Sequence, residues 1–195
     1  LSFAKTNNAS PAQYETKTCN TSLTDEHEFK KLSKAEDTLA QEYLKRGITR
    51  RRMGSHREAI AYYNKALEIN PRMPRGYFNL AISYEQLRDF ENALFNFRRS
   101  TELDPGYTQA WFHFALVNLK LGNVSVAIEM FDRTIRLDPK IPMAYYNRGI
   151  AREKLKDYRG ALDDYNKTRD LDPKSALGSF NAGMVKNTLG DYSGA

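Results

Sequence analysis

A single cysteine, Cys19, leaves this chain with no disulfide framework and no cysteine-based metal site. Histidine is almost as scarce. His27, His56 and His113 are scattered, and none can be paired with a nucleophile from the sequence. Glycine-rich phosphate loops and zinc-ligand spacings are missing as well. Nothing points to catalysis, a metal or a cofactor, and the chain reads as a non-enzyme. No apolar run is long enough to span a bilayer. No N-terminal segment has the charged, apolar, small-residue order of a signal peptide. The expectation is a cytoplasmic, intracellular chain, in which the sequons at Asn8, Asn20, Asn123 and Asn166 are chance matches. Runs of alternating apolar residues are absent too, which excludes a substantial sheet.

Proline is sparse but ordered. Pro71, Pro105, Pro139 and Pro173 recur every 34 residues, and the rest of the sequence repeats in phase. A fixed period of this length means one supersecondary unit copied along the chain. The units run over 40–73, 74–107, 108–141 and 142–175, with a partial fifth from 176. Counting from the first residue of each unit, position 4 holds Tyr43, Tyr77, Trp111 and Tyr145. Position 8 holds Gly47, Ala81, Ala115, Gly149 and Gly183. Position 20 is Ala59, Ala93, Ala127, Ala161 and Ala195, and position 24 is Tyr63, Phe97, Phe131 and Tyr165. Positions 4, 8 and 11 share one helical face, as do 20, 24 and 27. Small residues at 8 and 20 let two helices approach, and the aromatics fill the space beside them.

This aromatic, small, small, aromatic, proline order resembles the tetratricopeptide repeat. The resemblance implies an all-α, right-handed superhelical solenoid of antiparallel helix pairs. Helices are expected near 40–53, 57–69, 74–87, 91–103, 108–121, 125–137, 142–155, 159–171 and 176–189. Gly54, Gly122 and Gly190 suit the end of each first helix, where Arg88 and Lys156 stand in the other two units. Residues 1–33 read as a polar, flexible leader with a short helix at most, and 34–195 as the solenoid. Ser33-Lys34-Ala35-Glu36 has the form of a capping box, so the first helix is expected to start near 34. Residues 190–195 are expected to fray. The chain begins at Leu1 and its fifth repeat stops early, so it reads as a fragment of something longer.

Two family positions depart from the pattern. Arg46 and Arg148 replace leucine at position 7, and Arg50 and Arg152 replace tyrosine at position 11. Long cationic stems can cover apolar surface while the charge reaches water, so wetter packing is expected in the first and fourth repeats.

The resemblance further implies that the first helix of each repeat lines a concave groove, with positions 2, 5, 6, 9, 12 and 13 facing inward. Position 5 holds Leu44, Phe78, Phe112, Tyr146 and Phe180; position 9 holds Ile48, Ile82, Leu116, Ile150 and Met184. These i, i+4 pairs would form an apolar stripe for a ligand, or pack locally between helices. Position 6 holds Lys45, Asn79, His113, Asn147 and Asn181. An asparagine amide can grip a peptide backbone or bond within its own scaffold. The carboxylate clamp of chaperone adaptors is not reproduced, since Leu44 and Ile48 occupy its first two places. Arg51 and Arg52 give the groove a basic end. The net charge of +6 favours acidic partners.

The expected function is a protein–protein interaction module that binds a peptide or partner segment in its groove, within a larger scaffold or adaptor. The partner would be apolar with an acidic flank. Self-association through the partial fifth repeat, or service as the regulatory arm of an enzyme, are the alternatives. Nucleic acid is disfavoured because no recognition motif for it is present.

Overall fold

The computed structural model describes residues 34–190. Among them are nine helices and no strand: α1 (Lys34–Arg52), α2 (His56–Ile69), α3 (Pro74–Gln86), α4 (Phe90–Leu103), α5 (Thr108–Lys120), α6 (Val124–Leu137), α7 (Pro142–Lys154), α8 (Tyr158–Leu171) and α9 (Ala176–Leu189). The leader, the Ser33 cap and the end of the partial fifth repeat lie outside the described residues.

Each helix packs on the next in sequence, α1 on α2 through α8 on α9, and the odd helices also meet as α1 with α3 and α5 with α7. That is a helical solenoid. Local chemistry sets its boundaries. Pro74 and Pro142 open α3 and α7, where a missing amide donor costs nothing. Asp89 and Asp157 cap α4 and α8 by accepting from the amides of Asn92 and Gly160. Gly54, Gly122 and Gly190 take the left-handed turn at φ of 80, 83 and 74°. Arg88 and Lys156 adopt the same turn at φ of 60 and 62° despite their side chains, so the repeat geometry overrides their preference.

The core is a strip along the helix pairs. Ala59, Ala93, Ala127 and Ala161 are wholly buried, and so are Tyr63, Phe97, Phe131 and Tyr165. The two small–large pairs of each repeat are matched in size. Gly47 and Gly149 face Tyr63 and Tyr165, whereas Ala81 and Ala115 accompany Phe97 and Phe131. A Cβ at Gly149 would lie 2.7 Å from the Tyr165 ring, which accounts for the missing methyl group.

The fourth repeat corrects one expectation. In the first repeat the Arg46 and Arg50 side chains reach water, at 55% and 43% exposure. Arg148 does not; its side chain is only 15% exposed. The guanidinium is held at both ends, 2.5 Å from Asp132 on α6 and 2.6 Å from Asp164 on α8. Arg152 adds a bond of its own, Nη1 to Asp164 at 2.9 Å. Burial alone would lower the Arg148 pKa, but its bonds to Asp164 and then Asp132 outweigh that and hold it above the usual arginine range. The packing here is bridged by ion pairs, because two carboxylates stand where water would otherwise be.

Buried tyrosines give the fold an alkaline limit. Burial pushes the Tyr63 hydroxyl up, partly offset by Arg51 beside it. Burial also raises Tyr165, and its bond to Glu153 adds to the rise. A raised pKa means the folded chain keeps these protons after the unfolded chain has lost them. Their contribution is complete below a pH of about 10 and is lost as the pH climbs through the folded values. In an absorbance titration of tyrosinate, these two rings are therefore expected to ionise only together with loss of helicity. Smooth ionisation of all twelve tyrosines in a chain that stays helical would contradict this.

Candidate functional site

The odd helices bring together residues from three repeats. Arg51 of α1, Phe78 and Ile82 of α3, Gln109, Phe112 and His113 of α5, and Ile141 after α6 line a hollow of about 480 Å³. Phe78 and Phe112 therefore share a face. Their rings are supported from behind. Phe78 lies 6.0 Å from Phe97, and Phe112 lies 6.0 Å from Phe131. His113 fills the space between them, with ring centroids 5.5 Å from Phe78 and 5.7 Å from Phe112. Edge contacts of this kind fix ring orientation.

The polar atoms of the hollow are incompletely satisfied. The Nε of Arg51 and the Nδ1 of His113 are both buried without a hydrogen-bond partner among the described residues. His113 Nδ1 lies 3.9 Å from Glu85 Oε2, which is beyond hydrogen-bond reach.

The remaining sequence-derived groove residues divide. Ile82 is 9% exposed and packs with Phe97, Phe114 and Val117, so it is floor more than contact surface. Leu116 is half-buried against the Phe131 cluster, and Tyr146 and Ile150 against the Tyr165 cluster. Asn79 is buried and Asn147 half-buried. Each donates one amide hydrogen to its own helix, to the carbonyls of Arg75 and Met143 at 2.7 Å. That uses one of the two donors of each side chain. Asn181 is half-buried and Arg52 exposed, neither lining the hollow. Phe180 is 66% exposed and stands apart from it on α9. Gln109, at position 2, belonged to the inward set. Ile141 ends its repeat, at the position that Met73 and Tyr107 hold in the two repeats before it, and lies outside the inward set expected from the sequence. Glu85 takes position 12 of the second repeat, the counterpart of Arg51.

Charge is divided between the two kinds of helix. Each even helix, α2, α4, α6 and α8, has equal numbers of Lys/Arg and Asp/Glu. The odd helices together carry twelve Lys/Arg against five Asp/Glu. The positive excess of the repeats thus belongs to the helices that form the hollow.

Paired helices stacked around a shared inner face define a repeat scaffold of the kind that mediates protein interactions. Three models of the tetratricopeptide repeat match the chain, at residues 47–88, 74–107 and 112–176. The chain belongs to the tetratricopeptide repeat family. No curated protein matches it. Solved structures share its fold. MamA from residue 41 onward, of Desulfovibrio magneticus RS-1, is 22% identical over 79% of this chain and 87% of its own, with a TM-score of 0.73. YrrB, described as a TPR protein with an unusual peptide-binding site, is 19% identical over 82% of this chain and 81% of its own, with a TM-score of 0.72. PilF of Pseudomonas aeruginosa is 17% identical over 82% of this chain and 73% of its own, also with a TM-score of 0.72. Among the described residues, no helix is long and apolar enough to cross a membrane.

Proposed function

We propose that the chain binds a segment of a partner protein along its odd helices and that the hollow between α1, α3 and α5 anchors it. The observation that supports this most is the composition of the hollow. Apolar groups from the second and third repeats line it together with Arg51, Gln109 and His113. Small-molecule catalysis has no comparable support. The peptide-binding site ascribed to YrrB is consistent with this use of the scaffold.

The test is a selection of binders from a displayed peptide library, followed by a blocking variant. Gln109 is exposed, so Gln109→Trp should fill the hollow without disturbing the core. Excluding one apolar ligand side chain is expected to weaken the selected peptides at least about tenfold. Unchanged affinity in a folded Gln109→Trp protein would place the binding elsewhere. Ile82→Asp is a poorer probe, because its burial makes unfolding the expected result.

A second reading has its own support. Leu177, Phe180 and Met184 form an exposed apolar stripe on α9. This face suits pairing between copies. Sedimentation over a concentration series distinguishes a self-associating chain from a monomer that binds peptides.

A further inference from the structure

Resting on the groove reading above, we infer that the hollow selects a partner segment carrying an acidic side chain next to a large apolar one, with Arg51 as the recognising cation. Three independent observations converge on it. The first is shape and polarity. Phe78, Ile82, Phe112 and Ile141 give the hollow an apolar lining, and Arg51 of the neighbouring repeat lines it with them. An apolar side chain on that lining brings the adjoining residue of an extended segment to the guanidinium.

The second is an unmade bond. Arg51 Nε and the Tyr63 hydroxyl are each buried without a well-formed hydrogen bond among the described residues, although the guanidinium is near enough to the hydroxyl to favour its ionised form. A buried donor without a partner is costly, and a carboxylate is the acceptor that a guanidinium bonds most strongly. The third is charge placement. From Lys45 to Arg52, α1 carries five cations and no acid, and two of them, Arg46 and Arg50, pair with Glu42 and Glu58 away from the hollow. Glu85, an acid beside the hollow, is set against His113 with its side chain only 16% exposed. It therefore leaves the positive field of α1 open to an incoming carboxylate.

An internal acidic side chain is favoured over a chain terminus. The hollow has one arginine with Gln109 and His113, and the lysine and asparagine of a terminal-carboxylate clamp are replaced by Leu44 and Ile48. Nucleic acid would be drawn by the same charge, but the sequence carries no recognition motif for it.

The experiment uses fluorescent peptides capped at both ends, so that only side chains carry charge. One has the core Leu-Ser-Phe-Glu-Leu, and its twin has Gln for Glu. The expected result, by anisotropy, is about tenfold tighter binding of the Glu peptide. In Arg51→Gln that ratio should fall to about one, and Arg51→Lys should keep part of it, because a lysine retains charge but not the planar fork. Equal affinity for the two peptides in the unmodified protein overturns the inference and leaves the groove reading standing. Binding of neither peptide overturns the inference, and only failure of the library selection as well would remove the groove reading. A selectivity that survives in Arg51→Gln transfers the recognition to another cation and also overturns it. Displacement of the Glu peptide by a labelled oligothymidine of higher affinity would replace the acidic segment with nucleic acid. The peptide ratio in the unmodified protein decides the matter even if a variant fails to fold.

Discussion

Arg148→Met is expected to cost about 3 kcal/mol, the lower end of the range for breaking a buried ion pair. Asp164 is the reason. Its side chain is 3% exposed, and Arg148 supplies two of its bonds, Nε at 3.0 Å and Nη2 at 2.6 Å. Without them, a carboxylate remains inside the repeat stack, supported by Arg152 alone. The loss should be local, because a repeat touches only its neighbours. Hydrogen exchange should accelerate in α6, α7 and α8 and change little in α1 and α2. Adding Asp164→Leu to Arg148→Met removes the orphaned charge, so the double variant should recover much of the stability. If Arg148→Met exchanges like the unmodified chain, the network is ornamental in energetic terms.

Phe131→Ala should be as damaging, at about 3–5 kcal/mol. The ring is wholly buried and packs beside Ala115 and Ala127, so its removal leaves a cavity that two adjacent helices cannot easily close. It should also reach the hollow. Phe112 rests on Phe131, with centroids 6.0 Å apart, and would lose its backing. Two losses are therefore expected together: a lower melting temperature, and weaker capture of selected peptides under conditions where the variant is still folded. Phe97→Ala is a useful partner, since Phe97 backs Phe78 in the same way. A Phe131→Ala protein that melts early yet binds normally would show that Phe112 is positioned by other contacts.

The helices are legible in the sequence to within a residue or two over most of the chain. The prolines, the small residues at positions 8 and 20, and the aromatics at 24 are constraints that every repeat must meet in the same way. α1 is described over Lys34–Arg52, and the Ser33 cap expected from the sequence lies outside the described residues. The hollow is legible in part. Phe78, Ile82, Phe112, His113 and Arg51 are marked by their positions in the period. Ile141 recurs in phase with Met73 and Tyr107 but falls outside the inward positions, because it precedes the next helix instead of lying on an odd one. The burial of Arg148 escapes the sequence for a related reason. Its position in the period says that a leucine is missing. It does not say that Asp132 and Asp164, sixteen residues away on either side, close on it from two other helices. Periodicity reports what repeats share; these contacts are what one repeat has and the others lack. The matching of Gly with Tyr and Ala with Phe across positions 8 and 24 is visible in the sequence but gains its meaning only from the close approach of the Tyr165 ring to Gly149.

The Arg148 bridge also bears on mechanics. A stack held only by neighbour contacts behaves as a spring, and small rotations at each joint add up to a change in pitch. Between α6, α7 and α8 that rotation would have to stretch charge-assisted bonds at 2.5 and 2.6 Å, so this joint resists bending. Among the described residues, the joints around α1, α3 and α5 have no buried arginine–carboxylate clasp: Arg46 and Arg50 pair at the surface with Glu42 and Glu58, and Glu85 of α3 stands 3.9 Å from His113 of α5. The chain is accordingly a spring of uneven stiffness. Its compliant coils are those that surround the hollow, where a change in pitch would widen or narrow the opening, while the stiffer coil holds the far end in place.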